Sequence, residues 1–210
     1  ADVDMKDVEI KVQGKAESSG KPQDSKKIPK RVRVVEYDQS QFLKACVDKY
    51  LELVTDDKLR KLPHADTPFL DETQPIPDGA PKGKLGHMAS RILMKILYAA
   101  RMGRFDLLRA TNHLARYVSK WSDVCDKRLH RLVCYINSSL DKKMVGWIGD
   151  KPEDITIQMY SDADFASDKD TYKSTTGAFL CLRGPNTFFP IAALSKKQGC
   201  VSHSTPEAEI

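Results

Sequence analysis

The chain has no apolar run approaching the roughly 18 residues that a membrane span needs, and no signal peptide opens it. That excludes a helical membrane protein and predicts a soluble, intracellular one. Its five cysteines (Cys46, Cys125, Cys134, Cys181, Cys200) form no C-x-x-C pair and have no ligand-like spacing with histidine. A zinc site or disulfide framework is thereby excluded, and free thiols of a reducing compartment are expected. Residues 1–30 contain no aromatic side chain, and Lys, Glu, Asp, Ser and Gly dominate them. Such a composition buries too little apolar surface to offset ordering, which predicts a disordered leader over residues 1–33. Its cluster Lys26, Lys27, Lys30, Arg31, Arg33 reads as a solvated linker, with an address or nucleic-acid contact as the alternative.

What is present begins with helical periodicity. Asp38 with Gln41 has the form of a capping box, and Phe42, Leu43, Cys46, Val47, Tyr50, Leu51 and Val54 follow at helical spacing. Five prolines between Lys61 and Lys84 mark a loop. Three further helices are predicted: one along Leu85–Leu97, one from near Phe105, and one starting after Ser122. Short connections make them antiparallel neighbours in a small bundle over residues 34–142. These helices carry Arg104, Arg109, Arg116, Lys127 and Arg128 among other cations, against few acids. Charge of this kind is either a solvated helical face or a phosphate-tracking surface.

From Met144 the apolar period changes to two. Strands are expected at Met144–Ile148, Ile155–Tyr160, about Thr175–Leu182 and about Phe188–Leu194, with turns at Asp168-Lys169-Asp170 and Gly184-Pro185-Asn186. Pro190 inside the last strand requires an edge position or a bulge. The second strand delivers Asp162 and Asp164 at its carboxyl end, on one face because residues two apart share a face. Carboxylates there either stand in solvent at a turn or hold a cation. Further on, Ser204, Pro206 and Glu207 form a helix start, in which Glu207 is occupied as a cap. Glu209 is left without a local task and faces, in prospect, the strand-end carboxylates. That pairing would suit a hard cation such as Mg²⁺.

Four motifs in order, YSDADFA, KSTTG (Lys173–Gly177), SKKQ (Ser195–Gln198) and STPEAE, resemble the opening of the ribonuclease H domain of copia-type retrotransposon Pol polyproteins. The helix with HADTPF resembles the segment after the polymerase palm. Leu93–Val118 is similar to the helices that link polymerase to ribonuclease H, with Phe105 where that family usually has proline. The resemblance implies an α/β fold, α+β overall: a helical segment, then a truncated ribonuclease H-like antiparallel three-stranded sheet and a helix start over residues 143–210. It implies that Asp162 is the first metal-binding aspartate and Glu209 the catalytic glutamate, and assigns no metal to Asp164. The parent activity is Mg²⁺-dependent hydrolysis of RNA in RNA–DNA hybrids, and the chain stops at Ile210 before the later acids, so an incomplete, inactive site is expected. The polymerase motif Tyr-x-Asp-Asp is absent. Nucleic-acid contacts are expected from the basic helices together with Lys173, Lys196 and Lys197. The implied partners are hybrid or other nucleic acid and the remainder of the polyprotein, with no membrane, in the cytoplasm (in virus-like particles) or the nucleus. A non-catalytic nucleic-acid-binding remnant is the alternative.

Overall fold

The structure is a computed structural model that describes residues 3–10, 30–70, 76–77, 79–166 and 171–209, with the backbone alone for residues 3–10, 30 and 31. Two strands, β1 (Val3–Ile10) and β2 (Lys30–Tyr37), precede the helices α1 (Ser40–Leu53), α2 (Asp57–Arg60), α3 (Gly86–Met102), α4 (Leu108–Ala115) and α5 (Asp123–Ser138). Strands β3 (Met144–Ile148), β4 (Thr156–Asp164), β5 (Thr175–Gly184) and β6 (Thr187–Lys197) and a short helix α6 (Thr205–Glu209) complete it. The result is a mixed fold of helices and antiparallel sheet.

The helical bundle forms as its periodicity predicts. Leu43, Val47 and Tyr50 of α1, Ile92, Leu93 and Ile96 of α3, and Leu129, Leu132 and Ile136 of α5 lie in one apolar core. Ser122 caps α5 by accepting from Cys125 N. At α1 the predicted Asp38–Gln41 box gives way to a closer arrangement: Asp38 Oδ1 accepts from both Ser40 N (2.8 Å) and Ser40 Oγ (2.6 Å). Those bonds, with Lys143 Nζ at 3.0 Å, pull the Asp38 carboxyl down to about 2. Asp126, buried, accepts from the backbone N–H of Lys84 and Leu85 and from Trp121 Nε1, which fixes the start of α3 against α5.

The sheet has six strands in the order β1-β2-β3-β6-β5-β4, each pair antiparallel. It therefore exceeds the expected three-stranded sheet of β4, β5 and β6, because β3 pairs with β6 and β1 and β2 add on from the amino-terminal end. The stretch read as a disordered leader is a strand at Val3–Ile10 and again from Lys30. In β2 the period of two decides: Val32 and Val34 are buried while Arg33 between them is exposed. Residues 11–29, with Lys26 and Lys27, and the turn at 168–170 lie outside the described residues. A bulge falls where Cys181 pairs with Pro190 and Leu180 with Ala192, so the proline removes no ladder bond from an unbroken strand. At Gly146 a Cβ would lie 2.7 Å from the Phe189 ring, so only glycine lets these strands approach.

The helical bundle lies on one face of the β4–β5–β6 half of the sheet. Phe105 meets Phe179 edge-on at 6.3 Å, and Asn112 Nδ2 donates to Ser195 O at 2.9 Å. On the other face Ile157 (72% exposed) and Met159 (70%) of the edge strand β4 stand open.

Candidate active site

The four motifs converge at one end of the β4–β5–β6 sheet. Register places Asp162 opposite Gly177 and Gly177 opposite Ser195; the next row is Asp164, Thr175 and Lys197. The buried Ser174 accepts from Ala166 N through its hydroxyl and from Gln198 N (2.8 Å) through its carbonyl. Gln198 is the hub. Its Nε2 donates to Thr176 Oγ1 (3.0 Å) and to Ala208 O (2.6 Å), and its Oε1 accepts from Ser202 Oγ (3.3 Å). Lys173 Nζ donates to Gly199 O beside it.

These bonds set α6 against β4, where Ala163 and Ala208 are both buried. Asp162 precedes Ala163 and Glu209 follows Ala208, and both carboxylates are exposed; strand alternation turns Asp162 to the Asp164 face, toward α4, while α6 packs on the Ala163 face. Glu207 is occupied as expected: its Oε2 accepts from His203 N at 2.7 Å while its own N–H donates to Ser204 Oγ. Asp164 has a different partner, Arg109 Nη1 at 3.3 Å, an ion pair that ties α4 to the strand end.

Two exposed carboxylates are hard oxygen donors of the kind Mg²⁺ takes, and Mg²⁺ keeps several waters in such sites. Among the described residues no group of three or more histidine, cysteine or acidic side chains converges. Two carboxylates are too few to hold a pair of cations close together.

The basic candidates separate sharply. Arg104 is 2% exposed and is a structural residue: its guanidinium donates to Ser139 O (2.9 Å), Ser139 Oγ (2.8 Å) and Asp106. Burial alone would raise the Asp106 carboxyl, but Arg104 and the Tyr135 hydroxyl hold it below the ordinary range. Arg104 therefore cannot reach a phosphate, which corrects the expectation from its sequence position. Arg128, also buried, and Arg116 approach the two ring nitrogens of His113 at 2.9 and 2.6 Å. His113 is thus a partner inside a cationic cluster, not the surface residue that its basic neighbourhood suggests. His130 likewise packs inward, with Tyr50 Oη at 3.0 Å from Nδ1 and Cys134 Sγ at 3.5 Å from Nε2. Lys127 is exposed beside Asp123 (3.6 Å), Lys196 is exposed on β6, and Lys197 is half-buried there.

Gln198 is the functional position that sequence reasoning passed over. Its partners Thr176 and Ala208 are 22 and 10 residues away, beyond any local spacing rule.

No family model matches the chain, and no solved structure matches it. Two curated proteins do: the Retrovirus-related Pol polyproteins from transposons RE2 and RE1 of Arabidopsis thaliana, 36% and 33% identical over 106 residues. The match covers 50% of this chain and 7% of each relative. The resemblance to retrotransposon Pol polyproteins read from the motifs is borne out by these relatives.

Proposed function

We propose that this chain is a piece of a copia-type Pol polyprotein that supplies the first two carboxylates of a ribonuclease H site, Asp162 and Glu209. The observation that carries the reading is the Gln198 lock. It joins the KSTTG and SKKQ segments to the helix bearing Glu209, beside the strand end bearing Asp162. A divalent cation, when bound, would supply Lewis acidity toward a phosphodiester of the RNA strand in a hybrid. The protein's part is positional. Asp162 and Glu209 would hold the cation, Arg109 neutralises Asp164 so that it does not compete, and Glu207 holds the helix start.

Two carboxylates do not hold two cations, so residues 1–210 alone are expected to show no hybrid cleavage above that of Asp162→Asn. The rest of the polyprotein would complete the site. The test is hydrolysis of labelled hybrid by a fusion that carries a later polyprotein segment, with and without Asp162→Asn. A second reading, a nucleic-acid-binding module without catalysis, is favoured by the exposed Lys127 and Lys196, and hybrid affinity without cleavage in that fusion would select it.

A further inference from the structure

Away from the carboxylates, helix α3 keeps a stripe open to solvent. At 3.6 residues per turn, Arg91, Met94, Lys95, Tyr98, Arg101 and Met102 fall within about a third of its circumference, and all are exposed. Ile92, Leu93, Ile96 and Ala100 on the opposite side are buried. Within the stripe Met94, Tyr98 and Met102 follow one another by a turn and form an apolar ridge, with Met94 48% and Tyr98 54% exposed. A contiguous row of large apolar side chains in water marks an interaction surface, where a single one would not. The helix contains no acidic residue. Among the described residues no hydrogen bond or ion pair engages Arg91, Lys95 or Arg101.

Beside the ridge a cleft of about 880 Å³ opens against the start of α1, lined by Gln41, Phe42, Met94, Lys95 and Tyr98 among others. Phe42 packs on the core with one side and meets Tyr98 with the other, at 5.4 Å between ring centroids, so the cleft has an apolar, aromatic wall. Its cationic rim is not matched locally. The carboxylate on the lining, Asp38, is met by Ser40 and by Lys143 at 3.0 Å, and the acids of α1, Asp48 and Glu52, pair with Lys44 and Lys49. An apolar ridge of helical period, with a cleft on one side and cations between its members, is the surface a second helix reads, through anchors at i, i+4 and i+7. Methionine suits that task because its unbranched thioether adapts to the side chain it meets. A sugar–phosphate backbone has no apolar side chain to offer Met94 and Met102.

We infer that the cleft between α1 and α3 docks an acidic amphipathic helix of a partner protein. Leucine or phenylalanine anchors of that helix enter between Phe42, Met94 and Tyr98, and its glutamate or aspartate carboxylates meet Lys95, Arg91 and Arg101 at the rim. The buried anchors carry the affinity, while the rim charges select the partner and its orientation. The inference is independent of the Asp162–Glu209 reading and uses side chains of α3 that neither that site nor the cations of α4 and α5 involve.

The test titrates the full chain into a fluorescein-labelled helical peptide with leucine at i, i+4 and i+7 and glutamates beside them, followed by anisotropy. A scrambled peptide of the same composition should bind at least about tenfold more weakly, because its leucines no longer share a face. Tyr98→Ala should lower affinity for the helical peptide about tenfold or more, the size of one lost anchor, at unchanged melting temperature. Lys95→Glu should weaken the glutamate peptide and strengthen one with lysine in place of each glutamate. That exchange of preference is a result that damage to the fold would not give. No binding of the helical peptide, or equal binding of the scrambled one, would overturn the inference. So would affinity untouched by both substitutions. A single-stranded oligonucleotide whose affinity falls with Tyr98→Ala while the peptide's does not would assign the face to nucleic acid and overturn it as well. None of these outcomes bears on hybrid cleavage, which stands or falls with Asp162 and Glu209.

Discussion

Gln198 Nε2 lies 2.6 Å from the carbonyl oxygen of Ala208, and through that bond β6 dictates where the Glu209 end of α6 sits. The same nitrogen reaches Thr176 on β5 at 3.0 Å. A single amide therefore couples two strands to a helix of five residues, too short to hold its own place.

Gln198→Leu should remove these bonds at similar volume. The expected cost is about 1–3 kcal/mol, because Ala208 O and Thr176 Oγ1 lose their donor. Hydrogen exchange at residues 205–209 should rise well before the bundle melts. Unchanged protection there would mean that α6 is held by packing of Ala163 and Ala208 alone.

Arg104→Ala should act on stability and leave nucleic-acid affinity alone. Removing it leaves Ser139 O without its donor and the half-exposed Asp106 carboxylate with Tyr135 Oη alone, at a cost of about 1–3 kcal/mol. Denaturant melts report the loss. In contrast to a phosphate contact, the slope of log affinity against log salt should not fall by the increment of about one expected per contact removed. A changed slope at intact stability would return Arg104 to the binding surface.

The two sites were legible in the sequence to different depths. The apolar period of 3.6 located α1, α3, α4 and α5, and the period of two located β3 to β6, since both patterns are local. The capping roles of Ser204 and Glu207 followed from spacing for the same reason. Strands β1 and β2 were missed because their alternation is short and charge-rich, and pairing across the sheet, not composition, decides their state. The burial of Arg104 was missed because a guanidinium in sequence carries no sign of whether Ser139, 35 residues on, will meet it. The ridge on α3 gave no signal of its own: Met94 and Tyr98 share a helix with core residues, and which arc stays uncovered is visible only once its neighbours are placed.

Stability should fall as the pH drops below neutrality. Burial lowers the His130 pKa in the fold beneath its ordinary 6.5. The unfolded chain therefore binds a proton first, and stability that is full above 6.5 declines as the pH falls toward the folded value. Melting temperature measured from pH 7.5 to 5 should decrease, and His130→Gln should flatten that decrease. An equal slope in the variant would place the titration elsewhere.

The most direct test of the central claim is single-turnover cleavage of an RNA–DNA hybrid by a fusion of residues 1–210 to a later polyprotein segment, in Mg²⁺. Asp162→Asn and Glu209→Gln should each abolish cleavage at unchanged melting temperature, whereas Glu207→Gln should retain it, because a glutamine oxygen still accepts from His203 N. Cleavage that survives Glu209→Gln and is lost in Glu207→Gln would contradict the account and exchange the roles of the two glutamates.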